Sequence, residues 1–370
     1  MLTLFTTHRC QSPSLDIHSF DLRLGRFGPR DQRSMHLACG LTAGPANGLS
    51  FSDRTVSIIV RTMSLASNRL RPRLLVGAVV TLAALTSAPA HAGTPEPGPP
   101  PMTCAGWSVD TVTSGLDEPE NLEHDGAGGF YISGASSIVH VDAGGHVDPV
   151  LDNLAAPRGM QLHDGMLYFV AGPGLSQFDT RTGKVSAVTD MAAHGLLRLP
   201  NGDFLTTDVG TDIGSPSRGL TRYDPTADDV EQNWSPVPRS EGLALSPDHS
   251  RVYTDDLFTG QVIEVPLEAP DDWSVVATVP GFFPGLDDLT MSDAGTLYAA
   301  AHVEGSVHSI DPRTGTTCVI AAGISPGWTG PSSVRIGPSA NGWALYATVF
   351  DGTLRRLTPP PGVDLAPVRS

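Results

Sequence analysis

The sequence predicts an all-β protein built as a six-bladed β-propeller, and three observations carry this prediction. One pattern recurs six times: a short apolar strand, an Asp-Gly-like turn, a strand with Leu-Tyr or Val-Tyr, a loop, and a strand ending near Asp-Pro or Asp-Thr. Corresponding positions lie 36 to 47 residues apart, which is typical blade spacing. The 40 Gly and 32 Pro suit many short strands joined by turns.

The last blade is expected to be completed by the N-terminal part of the propeller. The sixth copy of the pattern stops after its third strand, at Pro359. The segment over 107–116, WSVDTVTSGL, precedes the first copy and has the pattern of one unpaired strand. We expect it to supply the outer strand of the sixth blade, which closes the ring and removes an open sheet edge.

An export signal begins inside the chain rather than at its start. From Met63, three arginines precede an apolar run over 74–85, and an A-x-A cleavage site ends at Ala92. The apolar run is too short to span a bilayer. We therefore expect a secretory signal peptide over 63–92, cleavage after Ala92, and a secreted, extracellular protein without a membrane anchor.

The remaining boundaries follow from the signal and the repeats. Residues 1–62 precede a complete signal peptide, so we interpret them as a non-native or disordered extension. Residues 93–103 are a Pro/Gly-rich linker, 104–362 the propeller and 363–370 a tail.

The net charge of the chain after the signal peptide limits which kinds of molecule can bind to it. After residue 92 the chain holds 13 Lys and Arg against 35 Asp and Glu, a net charge of −22. So acidic a protein repels nucleic acid and anionic membranes, which argues against both as partners. We expect a monomer with a small-molecule substrate.

Cys104 and Cys318 are the cysteines of the propeller region. An exported protein tends to oxidise such a pair, although two free buried thiols remain the alternative. Cys104 precedes the closing strand, and Cys318 lies on the expected outer strand of the fifth blade. A bridge between neighbouring blades is therefore geometrically feasible.

Two segments carry a family resemblance, SEGLALSPDHSRVYTDD from Ser240 and GLDDLTMSDAGTLYAA from Gly285. They resemble the gluconolactonase/regucalcin (senescence marker protein) family, which is related to paraoxonases and strictosidine synthase. The resemblance extends over residues 107–360. It implies a divalent metal at the centre of one propeller face, where the inner strands begin.

The inner strands are expected to begin at six positions, namely Glu120, Arg158, His194, Glu241, Asp287 and Ser332. Glu120 and Asp287 match ligand positions of the family, whereas Glu241 and His194 stand where the family usually has Asn. The resemblance thus implies that Glu120, Glu241 and Asp287 hold the metal.

The carboxylates themselves also indicate a metal, independently of the family resemblance. Three carboxylates aimed at one axis repel one another, and a dication with oxygen ligands, Ca²⁺ first, is the simplest compensation. Zn²⁺ or Mn²⁺ is favoured if His194 coordinates. The alternative is that Arg158 neutralises the carboxylates as an ion pair and no metal binds.

The leading functional hypothesis is a secreted, metal-dependent hydrolase of lactones or related esters. His194 or Asp288 would handle the proton, and Arg158 would orient an anionic substrate group. Two alternatives stay open: a non-catalytic ligand- or partner-binding propeller with a structural ion, and a lyase or condensing enzyme on the same scaffold. Further acidic residues and a histidine follow second strands and should lie on the same face, namely Asp208, Asp255, Asp256 and His302.

Overall fold

The computed structural model describes residues 102–191, 194–209 and 219–368. The described residues belong to one structural unit, His91–Ser370. The predicted extension over 1–62, the signal peptide over 63–92 and all but the last two residues of the linker lie outside the described residues.

The described residues form six four-stranded antiparallel sheets, which are the six blades. Blade 1 contains β2 (Asn121–His124), β3 (Phe130–Ser133), β4 (Ile138–Val141) and β5 (Val147–Leu151). Blade 2 contains β6 (Met160–His163), β7 (Met166–Ala171), β8 (Gly174–Asp179) and β9 (Lys184–Asp190). Blade 3 contains β10 (Leu196–Arg198), β11 (Phe204–Thr206), β12 (Leu220–Asp224) and β13 (Asp229–Ser235).

The second half of the ring repeats this arrangement. Blade 4 contains β14 (Leu243–Leu245), β15 (Arg251–Asp256), β16 (Gln261–Pro266) and β17 (Ser274–Thr278). Blade 5 contains β18 (Leu286–Met291), β19 (Leu297–Ala301), β20 (Ser306–Asp311) and β21 (Thr316–Ala322). Blade 6 contains β22 (Pro331–Ser339), β23 (Gly342–Val349) and β24 (Thr353–Thr358), with β1 (Ser108–Ser114) as its outer strand.

The closure of the ring by an N-terminal strand is confirmed. Strand β1 pairs antiparallel with β24, with Ser108 opposite Thr358 and Ser114 opposite Thr353. The last blade therefore has the same four strands as the others, although its outer strand comes from the start of the propeller.

The Asp-Pro and Asp-Thr dipeptides of the repeat have a common structural cause. In four blades an aspartate ends the third strand or follows it, and its Oδ1 accepts a hydrogen bond from the backbone N–H two residues later. The aspartates are Asp142, Asp179, Asp224 and Asp311, with N···O distances of 2.8, 2.9, 2.7 and 3.0 Å. Such turns lead the chain into the outer strand, which is why the dipeptides recur at blade spacing.

The core lies between the blades rather than within a single sheet. Between blades 5 and 6, for example, Tyr298 and Ile320 pack with Val334 and Leu345. No blade can bury both of its faces alone, so each depends on its neighbours.

The expected tail begins with residues that contact the propeller. Leu365 is 2% exposed within the core between blades 5 and 6, and the Asp293 N–H donates to the Ala366 carbonyl at 2.7 Å. Residues 363–368 thus pack on the propeller because they bury a leucine. At the other end, pairing begins inside the expected linker, where the Val319 N–H donates to the Met102 carbonyl.

Cys104 and Cys318 form a disulfide with a Cα–Cα distance of 5.6 Å, as predicted. It links the segment before β1 to the outer strand of blade 5. Across the described ranges, no helix has the length and apolar character needed to cross a membrane.

Candidate functional site

The inner strands of the six blades begin around one enclosed cavity. Six side chains within two residues of the starts of these strands line it, namely Glu120, Arg158, His194, Glu241, Asp287 and Ser332. The cavity measures about 10 Å³, which is room for a single water molecule or ion. Five blades thus bring an ionisable group to one point, and a substrate can only rest above it.

The residues that directly follow these six form a deeper ring. Three of these residues are glycines and three are polar: Gly159, Gly195 and Gly242, and Asn121, Asp288 and Ser333. The glycines allow close approach, since a Cβ on Gly195 would lie 2.1 Å from the Glu241 carbonyl oxygen. The polar residues hydrogen-bond one another, with Asn121 Nδ2 donating to Asp288 Oδ2 at 3.3 Å and to Ser333 Oγ at 3.2 Å.

Asp288 is fully engaged in this deeper ring. Its Oδ2 accepts hydrogen bonds from Asn121, Ser333 and the buried guanidinium of Arg335, and its Oδ1 accepts from the Leu289 N–H at 2.8 Å. The carboxylate therefore neutralises a buried cation and joins blades 1, 5 and 6. These contacts favour a structural role for Asp288 over the catalytic role expected from the sequence.

Arg158 is the central cation of the site. Its Nη1 donates to Glu120 Oε1 at 2.6 Å and contacts His194 Nε2, which itself lies 3.2 Å from the same Glu120 oxygen. Burial acts to raise the pKa of Glu120, but the hydrogen bond from His194 and the two positive charges outweigh it and lower that pKa. Glu120 is therefore held as a carboxylate.

His194 lies between two carboxyl groups. Its Nε2 is 3.2 Å from Glu120 Oε1 and 3.9 Å from Glu241 Oε1. Burial acts to lower the pKa of His194, but the charges of Glu241 and Glu120 outweigh burial and raise it. The two carboxyl groups thus favour protonation of the imidazole.

Glu241 and Asp287 face each other across the cavity. Burial and the charge of Asp287 raise the pKa of Glu241 well above its usual range. Burial and the charge of Glu120 do the same to the pKa of Asp287. Two buried carboxyl groups in contact share a proton, because two negative charges so close together would repel each other. The pair can therefore accept or release a proton.

His302 connects Asp287 to the rim of the propeller. Its Nδ1 is 3.0 Å from Asp287 Oδ2, and its ring packs against Trp328 and Phe350, with centroid distances of 5.9 and 5.0 Å. Burial lowers the pKa of His302. The sequence indicated the face on which His302 lies, but not its contacts. Its carboxylate partner Asp287 stands on the neighbouring strand of the same blade, and its aromatic neighbours come from later loops.

Two other acidic residues of this face serve the backbone. Asp255 Oδ1 accepts from the Gly242 N–H at 2.8 Å, and burial followed by the charge of Glu241 raises the pKa of Asp255 well above its usual range. Asp256 Oδ1 accepts from the Phe258 N–H at 2.9 Å in the loop after β15. Asp255 thus holds the backbone just before the inner strand β14, and Asp256 holds the loop after β15 on the same face.

The residues do not fit a divalent metal as they are arranged. In the part of the chain that the structure describes, no three His, Cys, Asp or Glu side chains are disposed to hold a metal ion. Arg158 and His194 both contact Oε1 of Glu120, at 2.6 and 3.2 Å. Of the other two expected ligands, Asp287 is bonded to His302. The set Glu120, Glu241 and Asp287 stays a prediction, and the geometry favours the ion-pair alternative.

A second, larger cavity lies at the opposite end, between blades 3 and 4, with a volume of about 660 Å³. Both arginines of its lining are paired within it, Arg222 with Asp203 and Arg251 with Glu264. The central cavity, where ionisable groups converge, is therefore the better candidate site.

The model of the SMP-30/gluconolactonase/LRE-like region matches residues 135–325, which is more than half of the chain. The chain belongs to this family. The match lies within the span of the resemblance seen in the sequence and covers the inner strands of blades 2 to 5. Membership in the gluconolactonase family fixes the scaffold, while substrate and chemistry depend on the site.

Solved structures show the same fold. A gluconolactonase from Xanthomonas campestris has a TM-score of 0.59 at 17% identity, over 71% of this chain and 95% of that chain. A calcium-binding protein, regucalcin, from Agrobacterium tumefaciens has a TM-score of 0.58 at 16% identity, over 73% and 99%. A streptogramin B lyase has a TM-score of 0.54 at 11% identity, over 68% and 97%. At these identities the likeness is one of fold.

No curated protein matches the chain.

Proposed function

We propose that this gluconolactonase-family propeller hydrolyses lactones or related esters at its central cavity. The observation that carries the proposal is the convergence of a cationic pair and a carboxyl pair, from four blades, on one small buried cavity. Hydrolysis of an ester needs both kinds of group, a positive charge for the developing oxyanion and a group that moves a proton.

The residues divide these tasks. The cavity has room for one water, which the carboxyl pair of Glu241 and Asp287 holds against the substrate above. The water oxygen forms a bond to the lactone carbonyl carbon, and its proton passes to a carboxylate oxygen of the pair. Arg158 and His194 stabilise the negative charge that develops on the carbonyl oxygen.

Collapse of the tetrahedral intermediate completes the reaction. The carbonyl re-forms, the ring C–O bond breaks, and the leaving oxygen takes the proton back from the carboxyl pair. The product is the open-chain hydroxy acid. No oxidant, reductant or second substrate is needed.

In this proposal Arg158 supplies the positive charge that the family resemblance assigned to a metal. The support is its contact with both Glu120 and His194. The competing expectation, a divalent ion with Ca²⁺ first, makes a different prediction for chelation, so one experiment separates the two.

The experiment measures initial rates on a panel of lactones and esters, before and after chelation, together with metal content. Glu241→Gln and Asp287→Asn test the carboxyl pair. Glu123→Gln is the matched control, since Glu123 is a buried carboxyl of the inner strand β2 that does not line the cavity.

Turnover that survives chelation, falls at least about 100-fold in the site variants and persists in Glu123→Gln supports the proposal. One equivalent of metal whose removal abolishes turnover overturns the role given to Arg158. A folded wild type without turnover on the panel overturns the hydrolase and leaves a binding propeller.

We also propose that the protein is exported, with cleavage after Ala92. The disulfide between Cys104 and Cys318 supports this, because disulfides persist in oxidising compartments outside the cytosol. Terminal sequencing of the protein recovered from the medium should begin at Gly93, and a product that keeps residues 63–92 and stays in the cell would contradict export.

A further inference from the structure

Aromatic side chains gather on one side of the candidate site. We call them the aromatic arc: Phe258, Phe282, Phe283, Trp328 and Phe350. They lie on successive loops of blades 4 to 6, at the end of the propeller where the inner strands begin. Phe282 is fully exposed and Trp328 is 78% exposed. Large apolar side chains kept in water at a site entrance indicate contact with a ligand.

Two members of the aromatic arc, Trp328 and Phe350, are linked to the central cavity through His302. The His302 ring packs against Trp328 and Phe350 and bonds Asp287, which lines the cavity. A molecule with its reacting group above the cavity would therefore extend over the arc.

Backbone contacts hold the arc in place. The His302 N–H donates to the Gly285 carbonyl at 2.7 Å, and the Phe350 N–H donates to the Gly330 carbonyl at 3.0 Å. Both glycines are places of close approach, since a Cβ on Gly330 would lie 1.8 Å from the His302 carbonyl oxygen. These loops are tied to one another, so the aromatic surface is formed before a ligand arrives.

The two rings on blade 4 and its outgoing loop also pack together. Phe258 and Phe283 are stacked at 5.6 Å with an interplanar angle of 10°. The Arg239 guanidinium covers the Phe258 ring at 5.3 Å. Phe258 and Phe283 therefore support the rim, whereas the adjacent Phe282 is left to meet a ligand.

The opposite side of the face has a different chemistry. Blade 2 stands across the ring from blade 5, and a cavity of about 380 Å³ lies there beside Arg158. Its other lining residues are small, namely Ala155, Ala156, Ala171 and Gly172. The face thus carries aromatic side chains on the side of blades 4 to 6. On the side of blade 2 it has an open cavity beside the cationic Arg158.

We propose that the site takes lactones that carry a large apolar or aryl substituent, with the substituent on the aromatic arc and the ring carbonyl towards Arg158. This rests on the proposed function and deepens it. A sugar lactone suits the arc poorly, because its hydroxyl groups would lose water against Phe282 and Trp328 without replacement hydrogen bonds. An aryl group buries apolar surface there and adds edge or face contacts.

The test compares three substrates: γ-phenyl-γ-butyrolactone, unsubstituted γ-butyrolactone and gluconolactone. Burial of a phenyl ring should favour the phenyl lactone over the unsubstituted one by at least about tenfold in kcat/KM. The double variant Phe282→Ser/Trp328→Ser should reduce this preference to within about threefold. Trp343→Ala is the control, since Trp343 is an exposed tryptophan at the start of β23, next to the turn from β22 at the opposite end.

A binding measurement without turnover separates this proposal from the proposed function. Calorimetry should show that the product, 4-hydroxy-4-phenylbutyrate, binds the wild type and the Trp343→Ala variant, and binds the double variant at least about tenfold more weakly. Such binding without lactone turnover keeps the substituent site and overturns the hydrolase. Turnover with equal rates on all three lactones, unchanged in the double variant, keeps the hydrolase and overturns the substituent site.

Discussion

Glu123 shows how the inner strands accommodate a buried carboxyl group. Its Oε1 accepts a hydrogen bond from the Leu162 N–H at 3.1 Å and so joins blade 1 to blade 2. Burial raises the pKa of Glu123, and the nearby charges of His124 and Arg335 only partly oppose it. The folded protein therefore keeps this proton to a higher pH than the unfolded chain does.

The sign of the resulting pH dependence follows from linkage. A carboxyl group with a raised pKa in the folded state stabilises the fold fully below its unfolded pKa, about 4.3 for Glu, and that contribution is lost as the pH rises through the raised value. Glu123→Gln cannot ionise, so it escapes this loss. We expect urea denaturation to show the stability of the variant, relative to wild type, improving between pH 5 and pH 8. An equal difference at both pH values would contradict this.

At the scale of single residues, the sequence located the site but not its pairings. The repeat pattern was enough to name all six residues near the starts of the inner strands, because each falls at the same place in its copy. It could not show that Arg158 is hydrogen-bonded to Glu120. Nor could it show that Asp288 bonds Arg335, since that contact depends on how neighbouring blades turn towards each other.

The inner strands of blades 4 and 5 approach each other closely at a glycine, where backbone atoms meet without an intervening side chain. Gly242 lies against blade 5, where a Cβ would stand 2.6 Å from both Asp288 Cα and the Leu289 nitrogen. Backbone atoms cannot swing aside as a side chain can. The distance between β14 and β18 is therefore set by the absence of a side chain at this position.

Gly242→Ala should force these two strands apart. We expect the free energy of unfolding, measured by denaturant titration, to fall by about 1–3 kcal/mol, the range seen for overpacked cores. Gly144→Ala is the control: its Cβ would meet only the Asp142 carboxylate, at 3.2 Å, on an exposed turn. Equal stability of the two variants would show that the strands can separate at no cost.

The strands themselves were the most predictable elements. Their boundaries depend on turns whose residues can be recognised in the sequence. Asp179 and Asp224, for example, each accept a hydrogen bond from the backbone N–H two residues later. The segment over 363–368 was harder to interpret, because it is short and follows three prolines at 359–361. Only the assembled ring provides the groove that buries Leu365.

The whole ring is joined at blade 6, where the two ends of the propeller meet. Strand β1 pairs with β24 over six residue pairs, and the disulfide ties Cys104 to the neighbouring blade 5. A propeller opens most easily at such a junction because only noncovalent pairing holds it there. The disulfide adds a covalent link across the same place.

The Cys104→Ser/Cys318→Ser double variant tests how much this link contributes. The bridge closes a loop with a sequence separation of 214 residues, for which chain entropy gives about 5 kcal/mol at most. We expect a loss of about 2–5 kcal/mol by urea denaturation, with native strand content retained below the transition. Reduction of the wild type should give the same shift, because it removes the same constraint from the unfolded chain. If stability is unchanged in both, the pairing of β1 with β24 alone holds the ring closed, and the disulfide reports only the compartment in which the protein folds.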